Sequence, residues 1–271
     1  MNDCKIEIRP FCKPDLDKLY PLQPKGWEDI VPYFKFYLNK SICYPLAAVG
    51  NGQLAGVANA ILTGESGWLA HIIVSEVFRK QGLGKQLTKA LIDYLRNAGC
   101  KVQHLIATSM GEGIYKKLEF RHLETYRFFQ GTKISYPDMN KSIRSLQPSD
   151  WDAVMTLDKE ITGEIRKPLL ALYPFKGWVY FTAGKLIGYY LSEIGEGTIL
   201  AVEVEAGLAL LNLKHSLKAC KTALPDSNRA GIDFFIGNEF EETGQAVRMV
   251  LGEKLAWNPE SVYSRIGGFY A

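Results

Sequence analysis

The chain has 271 residues and a formal net charge of +3, and 47% of its residues are hydrophobic. These are ordinary values for a globular protein, and the length allows two domains of typical size. The small net charge gives no case for nucleic acid or a membrane as a partner. No stretch approaches the ~20 consecutive apolar residues of a membrane-spanning helix, and the first residues lack the pattern of a signal peptide.

The cysteines predict the redox state and argue against a metal. Their number is odd and no pair has Cys-x-x-Cys spacing, which disfavours a disulfide framework or a structural zinc site. We therefore expect reduced thiols, no metal and a cytoplasmic protein. The cysteines are Cys4, Cys12, Cys43, Cys100 and Cys220.

The apolar periodicity of the first half predicts an α/β fold in which a mixed sheet is flanked by helices. The dipeptide Asn51-Gly52 predicts a hairpin turn, and Gly99 suits the end of the most amphipathic helix. The predicted strands cover residues 5–9, 45–49, 54–62, 68–74, 104–108 and 122–129. The predicted helices cover residues 15–20, 28–38, 83–98 and 113–118.

The same architecture is predicted to occur twice, because three short segments recur in the same order. Residues 8–19 resemble residues 143–154 at an offset of 135, and residues 52–56 resemble residues 184–188. A third match pairs Lys117-Leu118-Glu119-Phe120 with Lys254-Leu255-Ala256-Trp257. The polar segment 131–140 contains Gly and Pro and has no periodicity. We therefore predict domains at residues 1–135 and 140–271.

A loop with two glycines separates the strand that ends at Val74 from the helix that begins at Leu83. The first N–H groups of a helix lack internal partners and carry the positive end of the dipole, so they attract anions. Gly82 and Gly84 have no Cβ, which lets the backbone approach a diphosphate closely. Arg79, Lys80 and Lys85 add positive charge. The loop is interpreted as an anion site, with a simple tight turn as the alternative.

Two other phosphate-binding loops do not fit this segment. A dinucleotide fingerprint requires a third glycine where Leu87 stands, and a nucleoside triphosphate loop requires Ser or Thr where Gln86 stands.

The segment Arg79-Lys80-Gln81-Gly82-Leu83-Gly84 resembles the signature Gln/Arg-x-x-Gly-x-Gly/Ala of the GNAT superfamily of acetyl-CoA-dependent N-acetyltransferases. Residues 71–75 look like the family's fourth strand, residues 106–109 like its fifth, and residues 114–120 like its short helix. Glu119 stands where the family usually has glycine. The resemblance covers about residues 5–130. It implies a mostly antiparallel mixed sheet, present twice in tandem.

The resemblance implies how acetyl-CoA, the predicted co-substrate, would be held. Backbone N–H groups of the loop would bind the pyrophosphate, and the fourth strand would pair with the pantetheine arm. The implied cofactor-binding residues are Ile73, Val74, Arg79, Lys80, Gln81, Gly82, Leu83, Gly84 and Lys85.

The resemblance also implies that Tyr115 donates to the leaving thiolate. The reference pKa of tyrosine is ~10 and that of a thiol is ~8.5, so a tyrosine is a plausible donor at neutral pH. A packing tyrosine is the alternative. His71, on the strand that faces the thioester, is the candidate general base, with a core histidine as the alternative. Glu65, Glu28 and a water molecule are further candidates.

The second copy is predicted to have lost this chemistry. Residues 204–211 keep one glycine and add Glu205, which would repel a pyrophosphate. The third repeat match aligns Tyr115 with Gly252. We expect this half to bind no acyl-CoA and instead to shape an acceptor pocket or a dimer contact. The second half also resembles the C-terminal domain of a bacterial two-domain subgroup of the family, on the basis of Asp158, Thr162-Gly163 and Arg166. The candidate acceptor contacts are Asp158, Arg166 and Arg265, with surface salt bridges as the alternative.

The chain is therefore predicted to be an N-acetyltransferase for a small-molecule amine, without a nucleic acid or membrane partner. Three alternatives stay open: a catalytically silent acyl-CoA sensor, a protein N-acetyltransferase, and a homodimer in place of a monomer.

Overall fold

A computed structural model describes residues 6–135, 140–173, 175–219 and 221–271. The chain forms two compact units that interleave along the sequence. The first unit contains the residues up to Leu105, then Gly111–Arg121 and Val250–Gly252. The second contains Ile106–Met110, His122–Met249 and Glu253–Ala271. The predicted boundary segment lies partly outside the described residues, as do Cys4, Lys5 and Cys220.

The first unit contains a sheet in the order β1-β2-β3-β4-β5. Neighbouring strands are antiparallel except β4 and β5, which are parallel. The strands are β1 (Ile6–Pro10), β2 (Cys43–Gly50), β3 (Gln53–Thr63), β4 (Ser66–Val74) and β5 (Val102–Ala107). The helices are α1 (Val31–Leu38), α2 (Leu83–Asn97) and α3 (Ser109–Lys116).

The second unit contains a sheet in the order β7-β8-β9-β10-β13, in which every described pairing is antiparallel. A further set of strands has the order β12-β6-β11. The strands are β6 (Arg121–Gln130), β7 (Ile143–Ser145), β8 (Gly177–Thr182), β9 (Lys185–Leu191), β10 (Thr198–Ala201), β11 (Lys221–Pro225), β12 (Glu241–Gly252) and β13 (Val262–Ser264). The helices are α4 (Trp151–Thr162), α5 (Lys167–Leu170), α6 (Val204–Leu217) and α7 (Arg229–Gly237).

Most predicted elements are present, and the exceptions have local causes. The predicted helix at 15–20 is a 3-10 turn, Lys13–Lys18. The predicted helix at 28–38 begins only at Val31, with Ile30 as its N-cap residue and Pro32 in its first turn, a position that suits proline. Helix α2 lies close to β3, since a Cβ at Gly56 would be 3.1 Å from Leu87 Cδ1.

The first repeat match is confirmed by two equivalent ion pairs. Arg9 makes a two-pronged contact with Asp15 at 2.7 and 2.8 Å, and Arg144 makes the same contact with Asp150 at 2.7 and 2.8 Å. Both aspartates are buried, and each accepts a further backbone N–H three residues upstream. The guanidinium groups lower the pKa of both carboxyls. The recurring Arg and Asp therefore fasten the first strand of each copy to the turn after it.

The second match is confirmed by the hairpins. Asn51-Gly52 and Ala183-Gly184 both have positive φ angles, and each hairpin contains a register shift. The shift leaves Gly56 opposite Ala48 in the first copy and Gly188 opposite Tyr180 in the second.

The third match is wrong. Phe120 N donates to Tyr115 O at 3.1 Å, and Phe240 N donates to Phe235 O at 2.9 Å, each at the turn from a helix into the next strand. Glu119 and Glu239 both have positive φ, at 66° and 59°. The second-copy counterpart of Tyr115 is therefore Phe235, rather than Gly252, which lies at the end of β12. The third match rested on a short run of common residue types that do not occupy equivalent positions in the two copies.

None of the described helices is long and apolar enough to cross a membrane. The cysteines at positions 12, 43 and 100 are free thiols. Within the described ranges, no three His, Cys, Asp or Glu side chains are placed to hold a metal ion.

Candidate functional site

Strand β4 has an open edge at its carboxyl end. Its pairing with β5 runs from Ser66 opposite Val102 to Leu69 opposite Leu105, although β4 continues to Val74. The register with β3 shifts at residues 71–72, where His71 has a φ of 47°. This bulge bends the strand and disrupts the regular ladder beside His71.

The backbone of Val74 points to that open edge. Ser75 N donates to Ala55 O of β3 at 2.9 Å, so strand alternation directs Ile73 towards β3 and Val74 away from it. The Val74 carbonyl accepts instead from Arg79 Nε at 3.2 Å. Of the two residues predicted to pair with pantetheine, Val74 has the suitable direction and Ile73 pairs with Val57.

The N-terminus of α2 begins at the predicted glycine loop. Gly82 is the N-cap residue with a φ of 81°, and no side chain caps the helix. Lys80 also has a positive φ, 62°. No heavy atom lies within 4 Å of where a Gly82 Cβ would be. The first N–H groups of α2 are therefore presented to open space, in the arrangement that binds anions.

The predicted loop residues divide into an exposed and a buried set. The side chain of Leu83 is buried, so that residue can offer only its backbone N–H group. Arg79 forms an exposed ion pair with Glu76 at 3.2 Å, and Gln81 Nε2 donates to Val77 O at 3.1 Å. The exposed set is Arg79, Lys80, Gln81, Gly82 and Lys85.

Helix α3 packs beside the start of α2. A Cβ on Gly84 would be 3.6 Å from Ile114 Cδ1 and 3.7 Å from Val74 Cγ2, both ordinary contacts. The ring of Tyr115, the next residue, lies against Gly111, where a Cβ would be 2.8 Å from Tyr115 Cε2. Strand β4, the α2 N-terminus and α3 thus meet around Gly84. The left-handed conformation at Glu119, where the family has glycine, keeps the turn after α3.

Burial determines the acid-base character of Tyr115. It raises the pKa of Tyr115 to about 12, so the phenol stays protonated at neutral pH and acts as a hydrogen-bond donor. A thiol has a pKa of ~8.5, so complete proton transfer from this phenol to a thiolate would cost roughly 5 kcal/mol. Donation of a hydrogen bond is therefore better suited to this residue than full proton transfer.

His71 sits among aromatic rings at the bulge. Tyr37 Oη lies 2.7 Å from His71 Nδ1. Ring centroids of Tyr33, Tyr37 and Trp27 lie 4.8, 5.7 and 6.1 Å from the imidazole. Burial lowers the pKa of His71 to about 4, so the ring is neutral at physiological pH. The sequence analysis did not identify Tyr37 or Trp27, because nothing in the sequence shows the bulge that turns His71 towards them.

The two carboxylates proposed as alternative bases lie in different places. Glu65 forms an ion pair with Lys101 at 2.5 Å. Glu65 precedes β4 and is six residues from His71. At ~3.3 Å per residue of strand, the two residues are about 20 Å apart. Glu28 Oε2 accepts from Tyr33 Oη at 2.9 Å, and Tyr33 contacts His71. Geometry therefore removes Glu65 from this site and keeps Glu28 near it.

The corresponding helix of the second unit begins in a different environment. Leu210 of α6 faces Gly188, as Leu87 of α2 faces Gly56, which makes Gly207 the counterpart of Gly84. Gly207 is buried, and a Cβ there would overlap the ring of Tyr263. The carboxylate Glu205 lies in the first turn and accepts from Tyr180 Oη at 2.9 Å.

Strand β13 takes the place beside β10 that β5 takes beside β4. It pairs with β10 antiparallel, with Ile199 opposite Ser264. Ser264 Oγ lies 2.7 Å from the buried Lys214 Nζ of α6, and Lys214 also donates to Gly197 O and Thr222 Oγ1. The edge beside β4 beyond its pairing with β5 is open in the first unit, whereas β13 occupies the equivalent edge of β10 in the second.

The candidate acceptor contacts of the second unit are held in ion pairs. Asp158 and Arg166 are 1% and 2% exposed, are paired at 2.6 Å, and share Tyr189 Oη as a third partner. Their burial contradicts the alternative interpretation of a surface salt bridge. Gly163 ends α4 with a φ of 71° against the backbone of Ala256. Arg265 is bound to Glu196 at 2.7 Å.

Comparison with known proteins agrees with this geometry. The sequence pattern of the acetyltransferase (GNAT) family matches residues 6–120. A Pyrococcus horikoshii protein of proposed acetyltransferase activity superposes with a TM-score of 0.83 at 17% identity, over 98% of this chain and 96% of that one. A GCN5-related N-acetyltransferase from Sphaerobacter thermophilus gives 0.64 at 15% identity, over 93% and 98%.

A tandem GNAT protein from the clavulanic acid biosynthesis pathway gives a TM-score of 0.58 at 12% identity, over 92% of this chain and 98% of that one. At these identities the structural similarities show the fold alone. None of the curated proteins compared with the sequence matches it.

The chain therefore has a tandem GNAT fold with mixed, mostly antiparallel sheets, as predicted from the sequence. Residues 6–120, which contain the whole site described above, match the GNAT acetyltransferase family.

Proposed function

We propose that the chain transfers an acetyl group from acetyl-CoA directly to the amine of a small-molecule acceptor. The observation that carries the proposal is the uncapped, exposed N-terminus of α2 beside the open edge of β4. Acetyl-CoA fits this place chemically, because its pyrophosphate needs N–H donors and its pantetheine amides need a free strand edge. When bound, acetyl-CoA supplies the activated acetyl group.

The loop is proposed to bind the pyrophosphate through the N–H groups of Gly82 to Lys85. Lys80, Lys85 and, once released from Glu76, Arg79 add attraction that salt screens, since all three are exposed. Gly84 keeps the space above the helix free of a Cβ. The open edge of β4 around Val74 is proposed to orient the acetyl group for attack.

Two side chains are proposed to act on protons. Tyr115 donates a hydrogen bond to the departing sulfur, in keeping with its raised pKa. His71 accepts a hydrogen bond from the attacking amine. Removing a proton from a free ammonium group of pKa ~10 would be strongly uphill for an imidazole of pKa about 4. The acceptor ammonium group therefore loses one proton to solvent before the amine attacks. The second proton, lost as the C–N bond forms and the C–S bond breaks, leaves with the CoA thiol.

Calorimetric titration with acetyl-CoA tests the shared basis of this proposal. We expect one acetyl-CoA per chain, with affinity that falls as salt is raised. An absence of binding would rule out both a transferase and an acyl-CoA sensor.

Transfer to an amine separates the enzyme from the sensor. With an accepted amine, Tyr115→Phe should lower kcat by about 10²-fold, the scale of a lost proton donor, while acetyl-CoA affinity stays the same. Tyr44→Phe is the matched control, because its ring stacks on Tyr94 away from this site. An unchanged kcat in Tyr115→Phe would remove the assigned role, and binding without transfer to any amine would favour the sensor.

A further inference from the structure

The loop before α1 presents aromatic rings in a fixed arrangement. The side chain of Gln23 holds the loop, since Nε2 donates to Trp27 O at 3.2 Å and Glu28 O at 3.0 Å while Oε1 accepts from Ile30 N at 3.1 Å. Gly26 supplies a turn with a φ of 81°. The hydrogen bonds fix the backbone that carries Trp27, whose indole is nevertheless 45% exposed.

Trp27 contacts His71 and also lines a surface crevice. One side of the indole makes an edge contact with the imidazole, with centroids 6.1 Å apart. The indole also lines a crevice of about 400 Å³, the size of a small organic molecule. Tyr20, which is 86% exposed, stands on the same crevice. Other lining residues are Leu19, Gln23, Asp29 and Ile30.

The charge of this region suits a cation. Asp29 lies on the crevice, and Glu28 holds Tyr33, whose ring contacts His71. The described residues that line the crevice include no basic side chain. Aromatic faces and carboxylates attract an ammonium group, whereas a carboxylate on the ligand would lack a partner and be repelled. His71 adds no opposing charge, because it is neutral.

We infer that the acceptor is a primary amine on an aromatic or apolar body without a carboxylate, bound through Trp27 with its nitrogen directed to His71. This inference rests on the proposed transfer from acetyl-CoA. It specifies an arylalkylamine in place of an amino acid. The body of such an amine would cover the exposed indole and the apolar wall, and its ammonium group would lie near Glu28 and Asp29.

Phenethylamine and phenylalanine form the matched pair for the test, since they differ only in the carboxylate. We expect kcat/KM for phenethylamine to exceed that for phenylalanine at least tenfold, and to exceed that for butylamine. Trp27→Ala should raise KM for phenethylamine about tenfold with kcat within threefold, and Trp27→Phe should restore most of the affinity. Calorimetry with phenethylamine in the presence of CoA, where no turnover occurs, should give the same order of affinities: strong for the wild type and Trp27→Phe, and weak for Trp27→Ala.

Phe175→Ala is the control for removing an exposed aromatic ring, because Phe175 is 40% exposed and belongs to the second unit. Equal use of phenylalanine, or an unchanged KM in Trp27→Ala, would overturn the inference. Acetyl-CoA binding without transfer to any of the three probes would overturn it too, while leaving the cofactor site intact. Failure to bind acetyl-CoA would instead overturn the proposed function.

Discussion

Helices α2 and α6 occupy the same place in their two units, yet the equivalent glycines near their N-termini have different surroundings. Gly84 of α2 has ordinary contacts around its missing Cβ, and basic side chains surround the helix start. Gly207 of α6 is covered by the Tyr263 ring, and a carboxylate lies in the first turn. Gly84 therefore leaves room for a ligand in the first unit, whereas Gly207 leaves room for the Tyr263 ring in the second.

The difference teaches that loss of a binding motif and filling of its site go together. Water satisfies the exposed N–H groups of a helix start, but uncovered apolar surface costs stability. In the second unit the Tyr263 ring covers Gly207, whereas Val204 and Glu205 at the start of α6 stay exposed. The sequence suggested only the missing motif and the repulsion by Glu205.

The largest effect is expected for Gly207→Ala. The new Cβ would overlap the Tyr263 ring and force β13 away from α6. The free energy of unfolding should therefore fall by about 3 kcal/mol. Urea denaturation followed by circular dichroism measures this change. The double variant Gly207→Ala with Tyr263→Ala should unfold less readily than the single one. If Gly207→Ala alone is as stable as the wild type, then the ring does not fill the site.

Lys214→Met should have the next largest effect, about 2 kcal/mol of lost stability. The substitution keeps the length of the side chain but removes a buried donor to Ser264 Oγ, Thr222 Oγ1 and the Gly197 carbonyl, which keep only the hydrogen bonds among themselves. Lys218→Met, just beyond the same helix and on the surface, is the control. Equal denaturation midpoints for both variants would show that this lysine does not hold β13 in place.

Gly84→Ala should reverse the outcome seen at Gly207. The new methyl group fits between Ile114 and Val74, and alanine favours helix, so stability should stay equal or rise by up to about 1 kcal/mol. The signature that this loop resembles accepts alanine at this position, so the affinity for acetyl-CoA should stay within about threefold of the wild type. Calorimetry and denaturation on one sample measure both quantities. A loss of stability like that expected for Gly207→Ala would contradict the open surroundings of Gly84.

How far the sequence predicted these features depends on how local their causes are. The glycine loop, α2 and the paired Arg–Asp contacts were predictable, because each depends on residues close together in the chain. The bulge at His71, the fold-back of β13 and the burial of Asp158 with Arg166 depend on distant strands. The third repeat match was wrong because Lys254–Trp257 resembles the first copy in residue type alone, whereas the true counterpart, Glu239-Phe240, shares only two residues with it.

The smallest effect concerns two histidines whose pKa is lowered by burial, one in each unit. Burial lowers the pKa of His71 to about 4 and that of His215 to about 3, from 6.5. As pH falls below 6.5, the unfolded chain takes up a proton at each position while the folded chain does not. Stability present at pH 7 is therefore lost progressively towards pH 4. Asp15 and Asp150 have lowered pKa values and titrate below this window.

His71→Gln should remove about 1 kcal/mol of the stability difference between pH 7 and pH 5, because glutamine can still pair with Tyr37 but does not titrate. Urea denaturation at the two pH values measures that difference. His215→Gln should remove a comparable amount. If His71→Gln keeps the full pH dependence while His215→Gln loses its share, then His71 is protonated in the folded protein. In that case its proposed role as a neutral hydrogen-bond acceptor for the amine fails.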